Sequence, residues 1–510
     1  MAILYHNWKT GQTTCGAGAL AFPAPTRHNR PMANQEHIQH LDDGTWAAWR
    51  KHHPALAPDL IDADLSGRDL RGLDLSKAHL RNANLTGVRL DGTDLTHAML
   101  EGANVAGASF HGARLDRVHL DFLDLSGLDM VEASFEGASF RGTLLRGTNL
   151  SRARLDHAQL DGAQFDGADL SGASLRGTVL RGARFESSVL AHVDAEGAVM
   201  DGVELAGLDL RGAVLRGAQA DNLQLNDANL TGADLSGASL HGANFHGARL
   251  VEATLTDAQC DGGSFSHADL EKASLIRTNL TGADLRGASL LHAVFDSCIL
   301  ADARLEELDF RSPKLGKLSF ASAHLRKAVF TGCQLRGSNF RRANLEEADL
   351  KEAYLEGADF REARLADATF RHANLKQARL EGVLAQGADL SGTNLILVQA
   401  QRANLQDADL RFADAIGIDL AAADLRWADL RHADLSKAHL SHTRIWGARV
   451  RATKLPLGMA HWLVILWFTQ LFGRWKKRSE RARELRERKR VMDVAQMIRK
   501  REGSPRRRPH

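Results

Sequence analysis

Apolar residues recur at every fifth position from Leu60 to Leu455 without a slip. Leu or Phe fills 69 of these 80 positions; the exceptions are Val105, Met130, Ala195, Met200, Ala220, Cys260, Ala385, Ala400, Ala415, Ile445 and Val450. Two residues before each such position stands Ala in 50 cases, and two residues after stand 36 of the chain's 45 glycines. Ala233-Asp234-Leu235-Ser236-Gly237 is a representative unit. A period of five suits neither an α-helix, at ~3.6 residues per turn, nor a long strand of period two. The spacing inside the unit is more telling. Ala and Leu, two apart, point to the same side of extended backbone, and the Asp or Asn between them points away. The remaining pair, often polar then Gly, has the chemistry of a bend. Each unit is therefore predicted to be a short strand plus a bend, coiling the chain so that successive coils stack by parallel backbone hydrogen bonds.

A long helix fails on two counts. It would spread the Leu positions around its circumference, and it would hold 36 glycines, each costing roughly 0.5–1 kcal/mol against Ala. A disordered chain would not need an apolar residue in fixed register.

This pattern resembles the pentapeptide-repeat family, whose motif A-[DN]-L-x-x is met over residues 56–455. The resemblance implies an all-β fold, a right-handed parallel quadrilateral β-helix (solenoid) with four pentapeptides per coil. Eighty repeats then make about twenty coils, a rod roughly 95 Å long at ~4.8 Å per strand. A coil of twenty residues predicts inner ladders. Phe320, Phe340 and Phe360 should stack on one face, and Phe310, Phe330 and Phe370 on the opposite one, with Leu350 between. Phe165 with Phe185, and Phe245 with Phe265, should stack likewise. Arg68 and Pro313 stand where a small inward residue is usual, so local distortion is expected at both.

The ends depart from the repeat. Residues 32–59 resemble the leader of many bacterial family members, with Asn34 as a helix N-cap and Ile38, Leu41 and Trp49 on one face. A short helical cap is expected over 32–55. Met32 is the expected first residue, which makes 1–31 a disordered or mis-assigned extension. At the other end, 456–473 reads as an apolar helix without formal charge, carrying Trp462, Trp467, Phe468 and Phe472. A basic, helical to disordered tail follows over 474–510, starting with Arg474, Lys476 and Lys477 and netting +11 from 16 basic and 5 acidic residues. The seventeen residues 457–473 lie at the lower limit for a span, and spanning from a cytosolic rod would send the basic tail outside, against the positive-inside tendency. Two readings stay open: a cap or homodimer interface, as in the gyrase-binding members, or attachment to an anionic membrane surface. Outward positions of the last coils add an apolar set, Ile396, Leu397, Phe412 and Ile416, with Trp427 and Trp446 on the other side; such patches usually have a partner or cover.

Charge limits the functional classes. Net charge is +2, but residues 56–455 carry 44 basic and 55 acidic residues, and −10 of that −11 falls within 56–250. A ~95 Å rod imitating B-DNA would present about 56 negative charges, so duplex mimicry, known for family members that bind DNA gyrase, is the second reading. Nucleic-acid contact is indicated weakly, and for the basic tail alone. No phosphate loop, catalytic constellation, metal motif or cofactor motif is found. Cys260, Cys298 and Cys333 are expected to be buried reduced thiols. The leading expectation is a non-catalytic cytoplasmic scaffold that binds a protein partner, held at the inner membrane surface or a partner by its C-terminal element. A secretion-associated role is a third possibility that these residues do not test.

Overall fold

The computed structural model describes residues 33–312 and 314–457. The expectations for 1–31, for Met32, for Pro313 and for 458–510 fall outside those residues. Within them, the outward residue of nearly every pentapeptide pairs in parallel with the residue twenty further on. Asp59 pairs with His79, His79 with Met99, and the register runs to Asp434 with Lys454. Four fives thus close one turn. Each regular step is tied by three backbone bonds per pentapeptide. The core residue donates to the carbonyl nineteen ahead (Leu60 to His79, 2.9 Å), the second bend residue does the same (Asp62 to Arg81, 2.9 Å), and the outward residue donates back (Asn84 to Ala63, 2.9 Å). One step lengthens into two-residue strands, β1 (Val294–Phe295) and β2 (Lys314–Leu315), paired in parallel.

The second bend residue is left-handed along the rod, whether it is Gly67 (φ 67°) or Lys77 (φ 63°). None of the non-glycine residues found there is Val, Ile or Thr, whose branched side chains tolerate that region worst. Where a bulky residue takes this corner, the coil above commonly answers with Gly. A Cβ on Gly177 would lie 2.7 Å from the His157 ring, and one on Gly447 would lie 2.4 Å from the Trp427 ring. The ring of the lower coil occupies the space the glycine leaves.

Inside, Phe320, Phe340 and Phe360 stack at 4.9 and 4.7 Å, and Phe310 on Phe330 at 4.6 Å, with the two columns meeting edge to face. Phe165 with Phe185 and Phe245 with Phe265 stack at 4.9 and 4.6 Å. Several polar residues at the small inward position share one device: Thr93, Thr143 and Thr393 donate to the carbonyl 23 residues back, at 2.8 Å.

At the N-terminal end the chain forms two short helices rather than one, α1 (Gln35–Asp42) and α2 (Trp46–His52). Asn34 accepts from the Glu36 N–H at 2.9 Å as the cap of α1, and Gly44, left-handed at φ 72°, turns the chain between them. Trp46 and Trp49 are buried against the first coils. The Trp46 indole donates to the Asp74 carbonyl at 2.9 Å, and the buried Arg50 bonds Asp74 Oδ2 at 3.0 Å and Ser76 Oγ at 2.7 Å. Arg68, in a position usually small, pairs with Asp42 at the end of α1.

Among the described residues the ladder parts at three similar steps, besides an irregular one at 314–317. Between Gly182–Ser188 and Asp201–Asp209, the N–H groups of Gly182, Phe185, Ser187, Glu204 and Asp209 lack the backbone partners their counterparts have in regular coils, although Arg184 still faces Glu204 in register. Similar gaps lie between Leu100–Ala108 and His119–Asp129, and between Gly287–His292 and Glu306–Arg311. All three share one corner and the face after it: the N–H groups of Gly107, Ser187 and Gly287 are unpaired with the coil above, and those of Asp129, Asp209 and Asp309 with the coil below. Above each gap, Leu128, Leu208 or Leu308 occupies the inward position that usually holds Ala, over Ala108, Ser188 and Ala288 respectively. A leucine in an alanine-sized slot over-packs the interior, and separation of the coils relieves it. Leu223, which stands over Val203, keeps its ladder closed: Gln224 donates to Val203 at 3.0 Å.

Candidate interaction surface

Almost every chemically active side chain on this rod lies on its exterior, so the site question concerns surfaces. The buried nucleophiles are inert. Burial pushes the thiols of Cys298 and Cys333 up to about 12, and that of Cys260 above the usual thiol range, and Cys333 donates to the Phe310 carbonyl at 3.0 Å. Among the described residues no group of three or more His, Cys, Asp or Glu is gathered as a metal site requires. No described helix is long and apolar enough to cross a membrane.

The twenty-residue register assigns every outward residue to a face or corner. Ile396, Leu397 and Ile416 share one corner, Phe412 stands on the neighbouring corner, and Trp427 and Trp446 stand diagonally across from the first. These residues form three short ridges, not one continuous patch. Leu397 is 51 % exposed and rests beneath Gly417. Phe412 is 64 % exposed and stacks on His432 at 4.9 Å with 4° between the planes. Trp427 and Trp446 meet edge to face at 4.5 Å, and Ile396 and Ile416 are half-buried. The other predicted contact residues, Trp462, Trp467, Phe468, Phe472, Arg474, Lys476 and Lys477, lie outside the described residues.

Around these ridges several acids are already engaged. Arg411, Arg426 and Arg431 each fork onto the Asp two residues earlier, with closest approaches of 2.6, 2.7 and 2.7 Å. The hydrogen bond to Asp424 raises the Arg426 guanidinium above its ordinary value. Lys454 reaches down one coil to Asp434 at 2.8 Å and, with Ser436, holds that carboxyl at about 2.

Comparison with protein families matches "Pentapeptide repeats (8 copies)" at residues 59–97, 93–130, 133–172, 178–217, 221–258, 264–302, 386–420 and 418–455, and "Pentapeptide repeat region" at 303–380. The chain belongs to the pentapeptide-repeat family. Pentapeptide-repeat proteins are right-handed quadrilateral β-helices, and they are generally structural or interaction scaffolds rather than enzymes. Among solved structures this pentapeptide-repeat protein is similar to HetL, involved in heterocyst differentiation regulation in the cyanobacterium Nostoc: 27 % identical, covering 50 % of this chain and 93 % of that one, TM-score 0.20. It is also similar to QnrB1, a plasmid-mediated fluoroquinolone resistance protein, at 23 % identity, 39 % and 93 % coverage, TM-score 0.17. A third is Rfr23 from the cyanobacterium Cyanothece, at 25 % identity, 25 % and 90 % coverage, TM-score 0.13. No curated protein matches the chain.

One surface feature escaped the sequence reading because it appears only when outward residues are sorted by face. On the face running from His79 to Asn339, fourteen successive outward positions carry no Asp, Glu, Lys or Arg. Over residues 64–354 the other three faces carry six, nine and seven such residues. The signal was present in the chain as every twentieth residue.

Proposed function

We propose that this pentapeptide-repeat protein is a non-catalytic scaffold of about twenty coils, closed at its N-terminal end by α1 and α2, that presents its faces to a protein partner. Its C-terminal apolar and basic segments attach it to that partner or to the inner surface of a membrane, with the rod in the cytoplasm. The supporting observation is the placement of Leu397, Phe412 and Trp446 on corners of the last coils, just before the uncharged apolar stretch 457–473. Exposed apolar residues beside an apolar and then basic sequence suit attachment to an anionic surface. Duplex mimicry is less well supported. Acids that would have to imitate phosphates are forked by arginines, as Asp209 is by Arg211 and Asp284 by Arg286, both at 2.7 Å.

The test is co-sedimentation with vesicles containing phosphatidylglycerol. The full chain is expected to pellet with them, and a chain lacking 457–510 is expected to stay in solution while keeping its β-helical circular-dichroism spectrum. Failure of the full chain to bind would remove the membrane arm of the proposal.

A further inference from the structure

The uncharged face has the layout of an interface. Its centre is the ladder His79, Met99, His119, Ser139, Gln159, Val179, Val199, Gln219 and onward to Asn339, every step paired in parallel. Its two bounding corners are charged. One carries Arg81, Glu101, Asp121, Arg141, Asp161, Arg181, Asp201 and Asp221, and the other Asp116, Glu136, Asp156, Arg176, Glu196 and Arg216. Protein interfaces show this arrangement, a centre depleted of charge within a polar rim. On the first corner stands Phe122, 81 % exposed and left-handed at φ 61°. A large aromatic held in sparsely populated backbone and left in water costs energy unless something covers it.

Three coils above Phe122 the parted step opens a groove of about 480 Å³ that begins at Gly182 and Gly202 on the same corner and runs along the neighbouring face past Ala183, Phe185, Val203 and Leu208. The end of that groove at Gly182 and Gly202 adjoins the uncharged face, on the corner that carries Phe122. From these observations we infer that two copies of this chain pack side by side and antiparallel along the uncharged face, related by a two-fold axis crossing it between Arg141 and Asp161.

Such an axis keeps each corner against its own copy in reverse order. Arg141 then meets Asp161 of the partner subunit, Asp121 meets Arg181 of the partner subunit, and Arg81 meets Asp221 of the partner subunit; Glu101 against Asp201 of the partner subunit is the like-charged pair on this rim. On the other rim Asp116 comes opposite Arg176 of the partner subunit, and Glu136 opposite Asp156 of the partner subunit. A parallel pair would set Arg141 against Glu136 and Asp221 against Arg216, but also Asp121 against Asp116, Asp161 against Asp156, Asp201 against Glu196 and Arg181 against Arg176, so the balance of the charge order favours the antiparallel form. In the centre Met99 faces Val199 of the partner subunit and Ser139 faces Gln159 of the partner subunit. Phe122 falls opposite Gly182 of the partner subunit, at the mouth of the groove. Eight coils overlap, and with three outward residues from each coil about 24 residues per copy are engaged, within the ~20–30 a side of a standard interface. The contact is isologous and closes on itself.

Sedimentation equilibrium and small-angle scattering on the full chain test this. The expected particle is a dimer about half as long again as one rod, twice as thick only along the eight overlapping coils. Val179→Lys with Val199→Lys should raise the dissociation constant at least a hundredfold, and Phe122→Ala at least tenfold. Arg141→Asp alone should weaken the dimer at least tenfold, and adding Asp161→Arg should restore it, since the swap returns opposite charges to the same places. Asn229→Lys, on a different face, should change nothing and checks that an added surface charge does not itself unfold the rod. A monomer at all concentrations, a dimer of twice the rod length, an unaffected Val179→Lys/Val199→Lys variant, equal loss in Asn229→Lys, or a charge swap that fails to restore association would each overturn the inference.

Discussion

The coils between Phe320 and Leu380 and the step between Gly182 and Asp209 are built from the same pentapeptide, yet one is shut and the other is open. In the first, the inward position two before the core residue is always small, from Ala323 through Cys333 and Ser338 to Ala378. Every core residue there donates to the coil above, Phe320, Phe340 and Phe360 at 2.6–2.7 Å. In the second, Val203 and Leu208 fill those positions, and five backbone N–H groups lose their coil-to-coil bonds. The difference shows that the repeat has two inward positions with different tolerances. The core position accepts anything from Ala to Phe because it faces the centre of the coil. The position two before it sits near the bend, where a larger side chain separates neighbouring coils.

The largest expected effect breaks the closed stretch. Phe340 stacks on a ring below and a ring above, so Phe340→Ala leaves a cavity walled on both sides and should cost about 3–5 kcal/mol in urea denaturation. Phe185 stacks on Phe165 below but has the parted step above it. Phe185→Ala should fall at or below the low end of that range, because part of the space is already open. Equal losses at the two sites would mean that the missing backbone bonds do not loosen the packing around them.

Much of the fold was readable from the chain, and the limits were physical. The five-residue beat fixed which side chains face inward, and the bend chemistry was visible in 36 glycines. Left-handed bends at Phe122, His157 and Trp427 were not visible, because what permits them is the coil above: Gly142, Gly177 and Gly447 make room for those side chains. The parted steps were hidden for a related reason. Leu208 and Leu223 occupy equivalent positions in their pentapeptides, but Leu208 stands at the corner it shares with Leu128 and Leu308, and Leu223 at a different one, which is seen only when the chain is wound in twenties. The single cap expected at the N-terminus became two helices because Gly44 adopts φ 72°. The C-terminal apolar set was correctly placed on outward positions, but Phe412 stands one corner away from Ile396 and Ile416, so the continuous patch dissolves into ridges.

A smaller effect distinguishes bonds that tie coils from bonds within one coil. Lys454 and Asp434 are twenty residues apart and tie the last described coil to the one below, whereas Arg211 and Asp209, beside the parted step, are two apart and tie nothing across it. Asp434 titrates at about 2 against an ordinary 3.8, chiefly through Lys454. The folded state thus binds fewer protons than the unfolded one between those values. The pair's contribution is complete above about pH 4 and is lost as pH falls toward 2. Lys454 is 73 % exposed, so solvent screening keeps the contribution below ~1 kcal/mol. Thermal melts should show Asp434→Asn lowering the midpoint at pH 6 by a degree or two, on the order of ~0.5 kcal/mol, and converging with the parent near pH 2. A difference that persists unchanged at pH 2 would assign the effect to something other than the ion pair.

The smallest expected change in stability is the most informative. Leu208→Ala removes a side chain that is only 8 % exposed, a substitution that ordinarily costs about 2–5 kcal/mol. Here the leucine is also what holds the coils apart. Removing it lets Asp209 donate to Ser188, and Ser187 to Ala206, as their counterparts do in regular coils, each bond recovering about 1 kcal/mol. The recovered bonds oppose the lost burial, so the net change should be within ~1 kcal/mol of zero. Hydrogen exchange provides the decisive readout: the amides of Ser187, Glu204 and Asp209 should exchange fast in the parent and slow at least tenfold in Leu208→Ala. The same substitution at Leu223, where the ladder is already closed, has no bonds to recover and should show the full cavity cost. If Leu208→Ala costs as much as Leu223→Ala and leaves those amides fast, the leucine does not open the step, and its cause lies in the backbone of the bend at Glu186–Ser187.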